Sequence, residues 1–136
     1  MKSITITPQI KRMVYDQLDC IGVSPAINGY EYLATLICKI LENPDNIHQI
    51  TSMYSVVGGI HGRNGAQVER SIRHSVESVF NRRDINSPLW VWFSYINPQK
   101  GKPTNKEFVA TTVNMIRREL GEMESQVPGQ TKMKGI

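Results

Sequence analysis

The stretch from Ile47 to Arg83, IHQITSMYSVVGGIHGRNGAQVERSIRHSVESVFNRR, leaves few folds open. Its second half carries Val68, Ile72, Val76, Val79 and Phe80 at helical intervals, and at about 100° per residue these fall on one stripe of a helix spanning about 65–82. Gln67, Arg70, His74, Glu77 and Asn81 then take the opposite face. Upstream, Gly58, Gly62 and Val68 have the relative spacing of a helix-turn-helix unit: a small residue facing the partner helix, a turn glycine and an apolar anchor. Gly62 suits that turn because it takes positive φ without a Cβ penalty. The same pattern serves either a helical hairpin with a solvated polar face or a pair of helices that reads DNA.

The rest of the chain reads as helices around that unit. Thr7-Pro8 is an N-cap followed by proline at the first helical position, and Ile10, Met13, Val14 and Leu18 give the helix to about Asp19 its apolar face. Asn28 is the expected cap of a second helix, where Tyr30, Leu33, Ile37, Ile40 and Leu41 recur up to Asn43-Pro44. Tyr30 and Tyr32 read as packed tyrosines rather than a base-stacking platform. A third helix, about Ile47 to Ile60, supports the motif through Ile50, Met53, Tyr54 and Val57. The pair Gly58-Gly59 weakens its end by about 1 kcal/mol per glycine relative to alanine, which close packing or a turn must justify. After Asn86-Ser87-Pro88 comes the densest aromatic cluster, Leu89, Trp90, Val91, Trp92, Phe93 and Tyr95, expected to be mostly core with one tryptophan at a self-association surface. A loop, 97–103, leads to Thr104, which with Glu107 three residues on forms a capping box for a last helix buried through Phe108, Val109, Val113 and Ile116. Residues 1–120 therefore form one helical domain. Residues 121–136, polar and without periodicity, are expected to be a disordered tail.

Charge is distributed unevenly. The formal net charge is +4, a weak sign of a polyanionic partner. Between Gly62 and Arg83, however, five arginines (63, 70, 73, 82, 83) face two glutamates (69, 77), the concentration that phosphate binding needs. The two cysteines, Cys20 and Cys38, read as reduced buried thiols of a cytoplasmic chain, and no apolar run approaches the ~20 residues of a membrane span. His48, His61 and His74 lack the i, i+4 spacing of a helical metal site, and neither a phosphate-binding GxxxxGK[ST] loop nor a GxSxG elbow occurs. No enzyme, metal or cofactor is expected.

GYEYLATLICKIL, VERSIRHSVESVF and GKPTNKEF, in this order, resemble the C-terminal DNA-binding effector domain of the stage-zero sporulation master regulator of endospore-forming Firmicutes. The likeness runs from about Ile10 to Leu120 and is strongest at Val68-Glu69-Arg70, Ile72-Arg73-His74 and Lys102-Pro103-Thr104-Asn105. It implies an all-α, compact bundle of about six helices with a helix-turn-helix, winged-helix-like but without a wing. It also implies a recognition helix in the major groove of double-stranded DNA, a second copy on tandem sites, and RNA polymerase as a further partner. The full-length regulators carry a phosphorylated receiver ahead of this domain, whereas here Met1 precedes the first predicted helix by only a few residues. The competing expectation is a helical protein-interaction module that pairs with a full-length regulator and modulates it.

Arg70 projects almost opposite the buried stripe, and a guanidinium can donate two parallel hydrogen bonds to guanine O6 and N7. Gln67, one turn earlier, suits adenine or a phosphate. His74 and Arg63 suit phosphate. Glu69 and Arg73, four apart, fit an intrahelical ion pair, while the resemblance adds both to the base-reading group. Lys100 and Lys102 are either solvated loop lysines or, with Thr104 at a helix N-terminus, phosphate ligands; the resemblance favours the second. One departure stands out: the family usually has arginine where this chain has Gln67.

Overall fold

The computed structural model describes residues 2–82, 89–96 and 101–125. Among them lie six α-helices and no strand: α1 (Pro8–Ile21), α2 (Gly29–Glu42), α3 (Ile50–His61), α4 (Gly65–Arg82), α5 (Leu89–Trp92) and α6 (Asn105–Ser125). This is the expected all-α class. Local chemistry sets most of the boundaries. The Thr7 hydroxyl accepts the Ile10 N–H at 3.2 Å ahead of Pro8, and α1 ends where Gly22 takes the left-handed conformation at φ 101°. Asn28 departs from expectation, because it is itself helical (φ −55°, ψ −29°) and makes no side-chain cap. The first N–H groups of α2 turn instead to backbone carbonyls, Tyr30 to Ile27 and Tyr32 to Asn28.

The start of α3 also differs from the predicted Ile47. Pro44–Gln49 forms a 3-10 turn, begun by the Asn43 side chain accepting the Asp45 N–H at 3.2 Å, and α3 proper begins at Ile50. A proline beside an Asx turn nucleates a tight local turn, and Gln49, at φ −122°, ψ 36°, interrupts the ladder before the helix resumes. At the other end, α6 continues past Leu120 to Ser125.

The core is built around α2. Tyr30, Tyr32, Leu33, Ala34, Leu36, Ile37, Ile40 and Leu41 are all buried along it, so α2 presents little polar surface and is enclosed by α1, α3, α4 and α6. Both tyrosines are structural, as expected. The aromatic run splits: Phe93 and Ile96 are buried, whereas Val91, Trp92 and Tyr95 are exposed. Phe93 stacks on Phe108 with ring centres 5.6 Å apart and meets Phe80 edge-on at 5.0 Å, which fastens the end of α4 to α6. One expectation about the thiols fails. Cys38 is half-buried but Cys20 is exposed, because it lies off the stripe Met13, Val14, Leu18, Ile21 that α1 buries.

Candidate nucleic-acid interface

The turn between α3 and α4 fixes everything that α4 displays. Gly62 sits at φ 71°, and the Arg63 N–H returns to the Gly58 carbonyl at 2.8 Å, closing α3. Gly58 lies so close to the turn that a Cβ there would stand 2.3 Å from the Arg63 carbonyl oxygen, so the approach excludes any side chain. Asn64 then starts α4 through a reciprocal cap. Its Oδ1 accepts the Gln67 N–H at 2.8 Å while Gln67 Oε1 accepts the Asn64 N–H at 3.0 Å.

From that start, α4 turns Val68, Ile72, Val76, Val79 and Phe80 into the core, together with Ser75. Its outer face carries Ala66, Gln67, Arg70, Arg73, His74 and Asn81, all exposed. The arginines of α4 are not equivalent. Arg73 donates to both oxygens of Glu69, at 2.8 and 2.9 Å. Arg82 donates to the carbonyls of Ser78 and Gly22, both at 3.0 Å, and so ties the end of α4 to the end of α1. Arg70 alone among them makes no hydrogen bond or ion pair with any described residue. It borders a shallow cleft with Ile27, Asn28, Ser71 and His74.

The segment before α6 is welded to this unit. Lys102 Nζ donates to Glu77 Oε2 at 2.5 Å, and that bonded ammonium holds the Glu77 carboxyl below the usual carboxylate range. Pro103 is buried. Thr104 and Glu107 form the expected capping box, Glu107 N–H to Thr104 Oγ1 at 3.1 Å and Thr104 N–H to Glu107 Oε1 at 2.9 Å. Asn105 Nδ2 donates to the Tyr54 hydroxyl and to the Glu69 carbonyl, each at 3.3 Å, joining α6 to α3 and α4. Between these elements opens a groove of about 490 Å³, lined among others by Tyr54, Glu69, Arg73, Glu77, Lys102 and Asn105.

The sequence-derived site therefore divides. Arg70, His74 and Arg63 are exposed, and among the described residues the Arg63 side chain reaches only its neighbour's carbonyl, Gly62 O, at 3.1 Å. Gln67 is exposed too, but its amide oxygen is engaged in the cap. Glu69 and Arg73 form the intrahelical pair; Lys102 is paired; Thr104 is a cap. Lys100, like Arg83, lies outside the described residues. Two features escaped the sequence reading. The Asn64–Gln67 cap has a local signal, a capping residue followed three positions later by Gln, whereas the Glu77–Lys102 pair spans 25 residues and has none.

A glycine turn thus joins α3 to α4, the outer face of α4 exposes Arg70, Arg73 and His74, and the KPTN segment is bonded to α3 and α4. No group of three or more His, Cys, Asp or Glu suited to a metal occurs among the described residues, nor does any helix there have the length and apolarity to cross a membrane. Residues 14–116 match the family described as the sporulation initiation factor Spo0A C terminal, and the match covers the helix-turn-helix unit and the KPTN segment alike. The chain belongs to that family, the DNA-binding regulatory domains of sporulation-initiation regulators.

Proposed function

We propose that α4 is the recognition helix of a sequence-specific, double-stranded DNA-binding transcription factor domain and lies in the major groove. One observation carries this reading: Arg70, in the N-terminal half of α4, is the arginine of that helix left without a partner among the described residues. A solvated guanidinium on a rigid helix is prepared for bidentate donation to guanine, since it gives up no internal bond on docking. His74 and Arg63 hold flanking phosphates, and Lys102 with the capped start of α6 approaches the backbone on the other side. Gln67 contributes less to base reading than an arginine would, because its amide oxygen already completes the cap of α4.

Titration of duplex DNA at several salt concentrations tests the reading. Neutralising roughly four to six phosphates gives a log–log salt slope of about −4 to −5. Arg70→Ala is expected to lose about 1–3 kcal/mol on a preferred duplex and much less on a scrambled one, with circular dichroism unchanged. Equal losses on both duplexes would mean that Arg70 grips the backbone.

The exposed Val91, Trp92 and Tyr95 favour a second role in protein contacts. On tandem sites they would bring two copies, or a copy and RNA polymerase, into contact at high effective concentration. Trp92→Ala is then expected to abolish cooperativity on a tandem duplex while leaving single-site binding intact. A chain that binds no duplex yet lowers the DNA affinity of a full-length regulator would instead establish the interaction-module reading.

A further inference from the structure

Two carboxylates stand among the basic residues of α4, and each is matched to one cation: Glu69 to Arg73 and Glu77 to Lys102. They differ in kind. The first pair is four residues apart on one helix and gives the generic support of an i, i+4 pair. The second crosses from α4 to the segment before α6, with both side chains about one-third exposed, Glu77 at 32% and Lys102 at 37%. Glu77 follows Arg70 by two helical turns, about 10 Å, on nearly the same face. A duplex docked over Arg70 thus carries its backbone past Glu77 and Lys102. The groove lined by Arg73, Glu77, Lys102 and Asn105 opens beside the pair.

A phosphate and a carboxylate are both oxyanions that accept the same ammonium donors. A lysine already bonded to a carboxylate offers an approaching phosphate only the difference between the two contacts. Each of these two pairs is accordingly neutral, with Glu69 offsetting Arg73 and Glu77 offsetting Lys102, whereas Arg70 has no partner among the described residues. We propose that Glu77 is an internal competitor for the DNA phosphate that Lys102 would otherwise hold, and that it sets overall affinity for duplex DNA without touching a base. The proposal rests on α4 being the DNA-facing helix. Because the bonded ammonium keeps the Glu77 carboxyl below the usual range, the competitor is ionised at neutral pH.

The test uses the full chain and the variants Glu77→Gln, Lys102→Gln and the double variant, with folding verified by circular dichroism. Binding is measured to a duplex selected by the wild-type chain and to a scrambled duplex, each at several salt concentrations. Glu77→Gln is expected to bind both duplexes roughly three- to tenfold more tightly, with a salt slope steeper by up to about one, because one more lysine reaches phosphate. Glutamine still accepts a hydrogen bond, so Glu77→Ala is carried alongside and is expected to shift affinity in the same direction. In the Lys102→Gln background the gain disappears. Unchanged or weaker binding by Glu77→Gln overturns the proposal, as does a gain that persists without Lys102, which would mean direct repulsion between Glu77 and DNA. A wild-type chain that binds no duplex removes the underlying reading as well, an outcome distinct from one that binds but is indifferent to Glu77.

Discussion

Along α1 and α2, tyrosine hydroxyls and carboxylates are joined to one another: Tyr15 donates to Glu31 and Tyr30 to Asp19, both at 2.7 Å, with the two rings stacked 5.5 Å apart. By contrast, the outer face of α4 holds Arg70 and His74 with no such partner among the described residues and Arg73 in a half-exposed pair. Both regions are polar and helical. In the first, each of these two tyrosine hydroxyls is satisfied by a carboxylate of the neighbouring helix, so the pairs contribute to stability. In the second, donors are held in place by a rigid support and left to solvent, where they add little to folding and remain available to a polyanion. The difference lies in what the polar groups bond to, and composition cannot show that.

The severest way to break the contrast is to disturb the support of the outer face. Gly58→Ala forces a Cβ against the Arg63 carbonyl, backbone that cannot rotate away, and is expected to lose about 2–3 kcal/mol of stability, read from the urea midpoint. DNA binding would fall with it. The scaffold pairs come next. Tyr30→Phe removes a hydroxyl–carboxylate bond and should cost about 1–2 kcal/mol of stability while leaving the affinity for DNA unchanged in the folded fraction.

The same pairs have a pH signature. Burial, then the bond to Glu31, pushes the Tyr15 hydroxyl up to about 12, and burial with Asp19 pushes Tyr30 up as well. A raised acid binds its proton more tightly when folded, so its contribution is complete below the ordinary tyrosine value of about 10 and is lost as pH rises through the folded value. Urea midpoints should therefore drop between pH 10 and 12, and a Tyr15→Phe, Tyr30→Phe chain should show a flatter profile.

Smaller effects sharpen the comparison. Gly59 is exposed and a Cβ there meets nothing within 4 Å, so Gly59→Ala should stabilise α3 by about 0.5–1 kcal/mol, the opposite sign to its neighbour. Lys102→Ala should weaken all duplexes alike, and by less than the roughly one unit of salt slope expected of an unpaired lysine, because Glu77 already occupies it.

Of the two neighbouring glycines, the sequence marks both as costly within a helix, yet only the packing shows that Gly58 is required and Gly59 is not. The outer face of α4 was legible for a plain reason: a buried stripe at helical period leaves Arg70 and His74 nowhere else to point. Gln67 is less simple. Its position on the face followed from the period, but its amide is drawn into a cap by Asn64, a competition between local bonding and outward display that periodicity ignores. The exposed Trp92 beside the buried Phe93 was equally out of reach, since a four-residue helix is too short for its period to separate inside from outside.

Helix class, the proline-led start of α1, the Gly62 turn and the Thr104–Glu107 box were all written locally, because each depends on residues within about one turn of one another. The state of the charges was not. Lys102 meets Glu77, and Asn105 meets Tyr54 and the Glu69 carbonyl, only because the start of α6 is carried back across α3 and α4. Coulomb and hydrogen-bond energies depend on distance through space, and residues 25 apart in the chain come within 2.5 Å only once the core around α2 has brought those helices together.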